Sequence, residues 1–287
     1  MIVEDFPFGE RTLRRMGLGA MQLAGPGVWG PPADRAGAVA LLRQAVEWGV
    51  NHIDTAQYYG PDVVNELIRE ALHPYPEDLA LVSKVGAGRG PTGEWLPADR
   101  PEQLREGVLA NLRTLGVESL AAVNLRVTDG AAAAAAVDFD ARLDAMIAMR
   151  DEGLIEEIGL SNVSLEQVLH AAERTEITCV QNAFNVVDRS SEDELWACAR
   201  QGIAFVPFFP LGSAIHGVNP VLTHPGVVAA ARRLNVTAAQ VALAWCLEFA
   251  PNILLIAGTR STAHLRENLD AVTVELDREA LAALDTA

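Results

Sequence analysis

The first reactive side chains of the sequence stand directly behind a short apolar step in NHIDTAQYYG, residues 51–60. Asp54 ends that step and Tyr59 follows five residues later, while Lys84 and Asn124 end two later apolar segments, LALVSK and LAAVNL. Taken singly, each has an ordinary reading as a turn cap, a solvated strand end or a core amide. Their repeated position behind apolar segments favours a shared site.

Three of these side chains together can transfer a proton to a carbonyl oxygen. A phenol with a pKa near ~10 is a poor acid at neutral pH, and a neighbouring ammonium lowers that pKa by stabilising the phenolate. A buried ammonium in turn needs a counter-ion. We therefore expect Asp54 to hold Lys84, Lys84 to lower the pKa of Tyr59, and Tyr59 to protonate a carbonyl as it is reduced.

Eight short apolar segments, which alternate with amphipathic helical stretches, must position these residues. The segments lie at 15–21, 51–54, 79–84, 120–125, 156–161, 177–182, 203–208 and 252–258, and helical patterns at 34–49, 101–116, 140–153 and 237–250. Strands joined by crossover helices run parallel and are buried on both faces. The pattern predicts an α/β fold, a (β/α)8 TIM barrel in one domain over residues 1–287, with its chemistry at the carboxyl ends of the strands.

Three further stretches of the sequence bear on local structure. FPF and TLR flank a Gly-Glu turn, which predicts an N-terminal β-hairpin that closes the bottom of the barrel. The connection between the seventh and eighth strands is too long for one crossover, so an extra helix is expected near 225–234. The alanine run 131–136 fits either a loop or a helix start.

Composition limits the possible partners and location. The formal net charge of −16 argues against nucleic acid or an anionic membrane as a partner. Three widely spaced cysteines, an acidic N-terminus and no apolar run of membrane-spanning length predict a cytoplasmic protein with reduced thiols. No HExxH or clustered Cys/His motif appears, so no metal is expected.

Several blocks of the sequence resemble, in order and spacing, the signature blocks of the aldo-keto reductases. The blocks are NHIDTAQYYG, the Lys84 strand end, IGLSNVS, CVQNAFN, FFPLG and IAGTRSTAHLREN. Three stretches, GAMQLAGPGVWGPP, VNLRV and VPFFPLG, are most similar to the bacterial NADPH-dependent pyridoxal reductase branch. The resemblance implies a catalytic tetrad of Asp, Tyr, Lys and His. Asp54, Tyr59 and Lys84 match it, whereas Asn124 replaces the histidine and is expected to donate a hydrogen bond to the substrate without supplying the proton.

The resemblance also implies that NADPH lies extended across the barrel mouth. The matching positions are Ser161, Asn162 and Gln181 at the carboxamide, Phe208 at the nicotinamide, Leu211, Gly212 and Ser213 at the pyrophosphate, and Gly258, Thr259, Arg260, His264, Glu267 and Asn268 at the adenosine end. Many relatives carry lysine at Gly258, which leaves Arg260 to bind the 2′-phosphate. Each of these assignments has a purely structural alternative. Phe208 could pack in the core, Ser161 and Asn162 could simply lead into a capped helix, and Arg260 could be a solvated cation on a loop.

The resemblance thus predicts NADPH-dependent reduction of an aldehyde or ketone to an alcohol, with pyridoxal to pyridoxine as the specific reaction. The expected pocket residues Gln22, Trp29, Tyr58 and Trp95 suit a flat ring. Two alternatives remain: reduction of another, biosynthetic carbonyl compound, and a slow-turnover NADPH-binding regulatory subunit. The intact Asp54, Tyr59 and Lys84 set favours an enzyme.

Overall fold

The computed structural model describes residues 5–128, 138–212 and 219–285, and its first element is the predicted hairpin. Strands β1 (Phe6–Phe8) and β2 (Arg11–Leu13) pair antiparallel around a turn at Gly9. Gly9 has a φ of 56°, and a Cβ there would lie 2.0 Å from the Glu157 side chain. The positive φ favours glycine at this turn, because residues with a Cβ are strained in that backbone conformation.

The apolar segments form a closed ring of parallel strands. The ring strands are β3 (Met16–Gly19), β4 (His52–Asp54), β5 (Ala80–Arg89), β7 (Leu120–Arg126), β8 (Ile155–Ser161), β9 (Cys179–Gln181), β10 (Ala204–Phe205) and β11 (Leu255–Ile256), and β6 (Trp95–Ala98) pairs only with β5. β11 pairs with β3, and a parallel bridge between Phe205 and Ile253 joins the remaining two strands of the ring. The predicted (β/α)8 barrel is confirmed.

The hairpin closes the end of the barrel where the strands begin. Phe8 and Leu13 are 2% and 1% exposed. They share a buried cluster with small or medium-sized side chains of the ring, Ala80, Val82, Ala121, Ala122, Cys179, Ala204, Val206 and Leu254. Small interior side chains leave room for two large ones from the hairpin, so this end is filled and the other end stays available for ligands.

The ring is surrounded by helices whose apolar faces pack on the strands. They are α1 (Arg35–Glu47), α2 (Val63–Leu72), α3 (Pro101–Leu115), α4 (Phe139–Asp151), α5 (Leu165–Arg174), α6 (Glu192–Gln201), α7 (Pro225–Leu234), α8 (Ala238–Phe249), α9 (Thr262–Asp270) and α10 (Arg278–Asp285). Short 3-10 helices occupy Ala20–Leu23, Pro26–Val28 and Ala271–Thr273. α7 is the extra helix expected near 225–234, whereas the alanine run 131–136 lies outside the described residues. Within the described ranges, no helix combines the length and the apolar character needed to cross a membrane.

One strand extends further than the sequence pattern indicated. β5 continues past Lys84 to Arg89 and pairs antiparallel with β6, with Gly86 opposite Ala98 and Arg89 opposite Trp95. Gly86 has a φ of 106°, and a Cβ there would lie 2.2 Å from the carbonyl oxygen of Arg126. The glycine lets β5 pass close to β7 and leave the ring, so the β5–β6 hairpin carries Trp95 to the barrel mouth.

Candidate active site

Asp54 and Lys84 form a buried ion pair at the carboxyl end of the barrel. The Lys84 ammonium bonds directly to Asp54 Oδ1 and donates a 3.1 Å hydrogen bond to the Thr55 carbonyl oxygen. Gln181 Nε2 donates to Asp54 Oδ2 at 3.0 Å. Lys84 and Asp54 are 3% and 4% exposed, so each charge depends on the other for compensation. The structure therefore brings together the pair that the sequence predicted.

Tyr59 lies beside this pair in the loop between β4 and α2. Lys84 Nζ is 5.2 Å from the centroid of the Tyr59 ring, and the Tyr58 ring packs edge-on against Tyr59 at a centroid distance of 5.4 Å. Both tyrosine side chains line the same cavity. The residues predicted to hold and transfer a proton are thus adjacent.

The predicted lowering of the Tyr59 pKa by Lys84 is wrong for this geometry. Burial raises the pKa of Tyr59, the Asp54 carboxylate raises it further, and Arg126 opposes them with a smaller effect. A raised pKa keeps the phenol protonated at neutral pH, so Tyr59 retains the proton that a general acid must deliver.

A buried hydrogen-bond network anchors the backbone on both sides of the ion pair. Thr55 Oγ1 donates to Asn65 Oδ1 at 2.8 Å, and Asn65 Nδ2 donates to Asn111 Oδ1 at 2.8 Å. Ser83 Oγ donates to the same Asn111 oxygen at 2.7 Å. Thr55 and Ser83 are the chain neighbours of Asp54 and Lys84, so α2 and α3 fix the two strand ends that carry the charges. This network of small polar residues had no signal in the sequence pattern.

Asn124 lies across from Lys84 in the β5–β7 register, inside the barrel. Its Oδ1 accepts a 3.3 Å hydrogen bond from the Cys179 thiol, and its Nδ2 donates to the Ser83 carbonyl oxygen at 3.4 Å. Asn124 is 1% exposed and does not belong to the described lining of the cavity. Its amide is therefore anchored by the protein, and donation to a substrate stays a prediction.

A cavity of about 710 Å³ opens above the ion pair at the carboxyl ends of the strands. The described residues that line it are Gly19, Met21, Gln22, Gly27, Val28, Asp54, Tyr58, Tyr59, Lys84, Trp95, Arg126, Gln181, Phe208, Phe209, Pro210, Leu211, Gly212, Ile256, Ala257 and Gly258. Three of the four predicted pocket residues, Gln22, Tyr58 and Trp95, are among them. Its volume and aromatic walls are suited to a flat organic ligand.

The fourth predicted pocket residue, Trp29, is not among the described residues that line the cavity. The Arg89 guanidinium carbon is 5.4 Å from one ring of Trp29 and 4.0 Å from one ring of Trp95. Arg89 Nη2 also donates to the Gly27 carbonyl oxygen at 2.9 Å. Trp29 thus helps hold the β5–β6 hairpin against the loop at 25–30 and does not face the cavity directly.

The predicted cofactor residues fall into three groups. The cavity is lined by Gln181, Phe208, Leu211, Gly212 and Gly258. Outside its described lining, Ser161 ends β8 and Asn162 follows it. The third group lies in the segment after Gly258 and in α9: Thr259, Arg260, His264, Glu267 and Asn268. Ser213 lies outside the described residues. The second group leads into α5, whose start is capped by a box formed by Ser164 and Gln167. The binding of a cofactor by these positions stays a prediction.

Arg126 is a cavity residue that the sequence reasoning missed. It ends β7 two residues after Asn124, and its guanidinium carbon is 5.8 Å from the centroid of the Phe208 ring. The available signal was the alternation of a strand, which places residues two apart on one face. Arg126 brings a second cation to the cavity beside Lys84.

Comparisons with known proteins agree with this architecture. Residues 15–287 match the aldo/keto reductase family. A pyridoxine 4-dehydrogenase of Escherichia coli strain K12 is 49% identical over 286 residues, covering 99% of this chain and 98% of the relative. An uncharacterized oxidoreductase of Schizosaccharomyces pombe is 37% identical over 279 residues, covering 96% of this chain and 87% of the relative.

A solved structure shows the same fold. The crystal structure of an aldo-keto reductase from Klebsiella pneumoniae in complex with NADPH has a TM-score of 0.83 and 26% identity, covering 100% of this chain and 95% of that chain. The family match extends from the first barrel strand through the last residue and includes the Asp54, Tyr59 and Lys84 cluster. This chain therefore belongs to the aldo/keto reductase family of oxidoreductases.

Proposed function

We propose that the protein reduces an aldehyde or ketone to an alcohol with NADPH, and that its preferred reaction converts pyridoxal to pyridoxine. The observation that carries the proposal is the position of the Tyr59 phenol beside a buried Asp54–Lys84 pair in an aromatic cavity. The 49% identical relative is named for dehydrogenating pyridoxine, the reverse of this reduction. The three free, buried cysteines fit the cytoplasmic location that we expect for it.

Each member of the catalytic cluster has a defined task in this reaction. NADPH, when bound, supplies the hydride that the carbonyl carbon receives. Tyr59 donates its phenolic proton to the carbonyl oxygen, and the nearby Lys84 ammonium stabilises the phenolate that remains. Asp54 holds Lys84 in place, while Gln181 satisfies the second Asp54 oxygen. The alcohol leaves and Tyr59 regains a proton from solvent.

Three features of the protein fit NADPH. Ser161 Oγ is fully buried with no hydrogen-bond partner among the described residues, which suits a polar ligand group such as the carboxamide. A Cβ on Gly258 would lie 2.8 Å from the Gly19 carbonyl oxygen and 3.2 Å from Gln22 Cγ. Glycine at this position therefore lets the chain after β11 pass close to the end of β3, beside the cavity. Phe208, half-buried in the wall, offers a ring face for stacking.

Substrate identity can be tested by following the loss of NADPH absorbance with the purified protein. The panel contains pyridoxal, aliphatic and aromatic aldehydes, and ketones, and products are identified by chromatography. We expect pyridoxal to give the highest kcat/KM and pyridoxine to form in an amount equal to the NADPH consumed. A different compound with the highest kcat/KM would favour the alternative biosynthetic substrate, and no turnover of any member would favour the regulatory subunit.

Arg260→Ala is expected to reduce the preference for NADPH over NADH. Arg260 is exposed and has no ion-pair partner among the described residues, so it is available to a 2′-phosphate. A charge-assisted hydrogen bond contributes roughly 1.5–3 kcal/mol, so NADPH binding should weaken by about 10- to 150-fold while NADH binding stays the same. Fluorescence titration with both cofactors measures the effect.

Arg266→Ala is the matched control, on the helix α9 that follows Arg260. Arg266 stacks at 4.0 Å on Trp48 and pairs with Asp270 at 3.6 Å, so its guanidinium is already engaged. We expect Arg266→Ala to keep the preference for NADPH. Equal losses of NADPH and NADH affinity in Arg260→Ala would show that Arg260 supports the fold or the shared adenosine and not the 2′-phosphate.

A further inference from the structure

Arg126 is a cation in the cavity wall that no carboxylate neutralises within the described ranges. Its side chain leaves β7 on the same face as Asn124, one step closer to the cavity mouth. The guanidinium carbon lies 5.8 Å from the Phe208 ring centroid. No ion pair or side-chain hydrogen bond joins it to another described residue. A partly buried guanidinium in this position favours an anionic partner.

The charges of the cavity wall do not cancel. Asp54, Lys84 and Arg126 are the charged members of the described lining, and the first two neutralise each other through a direct ion pair. Arg126 therefore leaves one uncompensated positive charge facing the ligand space. A planar guanidinium binds carboxylate and other oxyanions through paired N–H groups, which makes an anionic oxygen the best-matched ligand.

We propose that Arg126 binds an anionic oxygen of the substrate, so that the enzyme selects aromatic aldehydes with an ionised hydroxyl or carboxyl group next to the carbonyl. This inference rests on the proposed aldehyde reduction and names its substrate class. Tyr59 must reach the carbonyl oxygen in the cavity that Arg126 also lines, which places the bound anion close to the reacting group. The Tyr58, Trp95 and Phe208 side chains supply the aromatic surface for the ring.

Two further observations agree with this assignment. The positive charge of Arg126 acts on both Tyr58 and Tyr59, since it lowers the pKa of each against the stronger effect of burial. Pyridoxal belongs to the proposed class because its acidic ring hydroxyl is on the ring carbon adjacent to the one that bears the aldehyde group. In the reaction, the carbonyl carbon gains the hydride and its oxygen gains the Tyr59 proton, while the anion at Arg126 is unchanged.

The test compares matched substrate pairs that differ only in the anionic group. The pairs are pyridoxal with 3-deoxypyridoxal, and 2-carboxybenzaldehyde with benzaldehyde. We expect the wild-type enzyme to favour the anionic member of each pair in kcat/KM. Arg126→Met should lower kcat/KM for the anionic members by about 10- to 100-fold and leave the neutral members within a few-fold. Arg126→Lys should recover part of the loss because it restores the charge without the planar fork.

Controls separate anion binding from folding and from cofactor binding. Arg105→Met removes an arginine that forms an ion pair with Glu152 outside the cavity lining. This variant should keep the wild-type kcat/KM for the anionic and the neutral aldehydes. Melting temperature and NADPH affinity are measured on each preparation, and both should match wild type in Arg126→Met. Equal losses for anionic and neutral aldehydes, or a loss of NADPH affinity, would overturn the proposal.

The design also distinguishes the two proposals from each other. Fast reduction of pyridoxal without a preference for anionic aldehydes that depends on Arg126 would support the proposed function and refute anion binding by Arg126. Arg126-dependent reduction of 2-carboxybenzaldehyde without turnover of pyridoxal would retain anion binding and refute the pyridoxal assignment.

Discussion

Tyr59→Phe is expected to lower kcat for aldehyde reduction by about 10²- to 10⁴-fold, the usual contribution of a positioned acid. The substitution removes only the hydroxyl, so the ring contacts with Tyr58 and Lys84 remain. The dissociation constant of NADPH should therefore stay within a few-fold of wild type. Steady-state kinetics and a fluorescence titration on the same preparation measure both quantities.

Tyr75→Phe is the matched control for loss of a phenol hydroxyl. The Tyr75 hydroxyl donates a 2.6 Å hydrogen bond to the Leu115 carbonyl oxygen and does not line the cavity. Its removal should leave kcat unchanged. A Tyr59→Phe enzyme that keeps more than about a tenth of the wild-type kcat would show that another group is the acid, and Tyr58 would be the next candidate.

The pH profile of the wild-type enzyme should agree with the same role. Burial and Asp54 raise the pKa of Tyr59, so the phenol stays protonated through neutral and mildly alkaline pH. Loss of the acid should therefore not limit reduction below about pH 10, the ordinary range of a phenol. An alkaline fall in kcat near neutrality that disappears in Tyr59→Phe would contradict a raised pKa.

Lys84→Met should have the largest effect on stability among the catalytic substitutions. Removing the ammonium leaves the Asp54 carboxylate buried, with the 3.0 Å hydrogen bond from Gln181 but no compensating charge. Breaking one side of a buried ion pair typically costs about 3–5 kcal/mol in free energy of unfolding. Urea denaturation measures that loss, and kcat should also fall because the Tyr59 phenolate loses its neighbouring cation.

The double variant Asp54→Asn/Lys84→Met separates stability from catalysis. It removes both charges and keeps a polar group opposite Gln181, so it should recover much of the lost free energy of unfolding. Its kcat should remain as low as that of Lys84→Met. Restoration of catalysis together with stability would mean that the ion pair supports the fold only, and an unaltered unfolding free energy in Lys84→Met would refute mutual charge compensation.

The site residues that could be predicted from the sequence are mostly those at the carboxyl ends of the strands. Asp54 and Lys84 each follow an apolar segment, and parallel strands of a barrel bring their carboxyl ends to one face. That rule is sufficient to place the two side chains together without knowing any distance. Gln181, at the end of β9, meets Asp54 for the same reason.

Features that depend on burial or on one backbone angle were not predictable in this way. The direction of the Tyr59 pKa shift depends on desolvation, which a sequence does not display. The β5–β6 hairpin depends on Gly86 approaching the Arg126 backbone, and its second strand is largely exposed and contains a proline, so no alternating pattern marks it. Arg126 itself stood out less than Lys84 because one arginine after an apolar strand is normally a solvated strand end.

The fate of the hydride tests the proposed reaction most directly. Pyridoxal is incubated with the enzyme and NADPH that carries deuterium in place of both hydrogens on its transferable ring carbon, and the product is examined by mass spectrometry. We expect pyridoxine with one deuterium on the new alcohol carbon from the wild-type enzyme, and almost none in the same time from Tyr59→Phe. Pyridoxine without deuterium, or no pyridoxine while other labelled alcohols form, would contradict the proposed reduction of pyridoxal by direct hydride transfer.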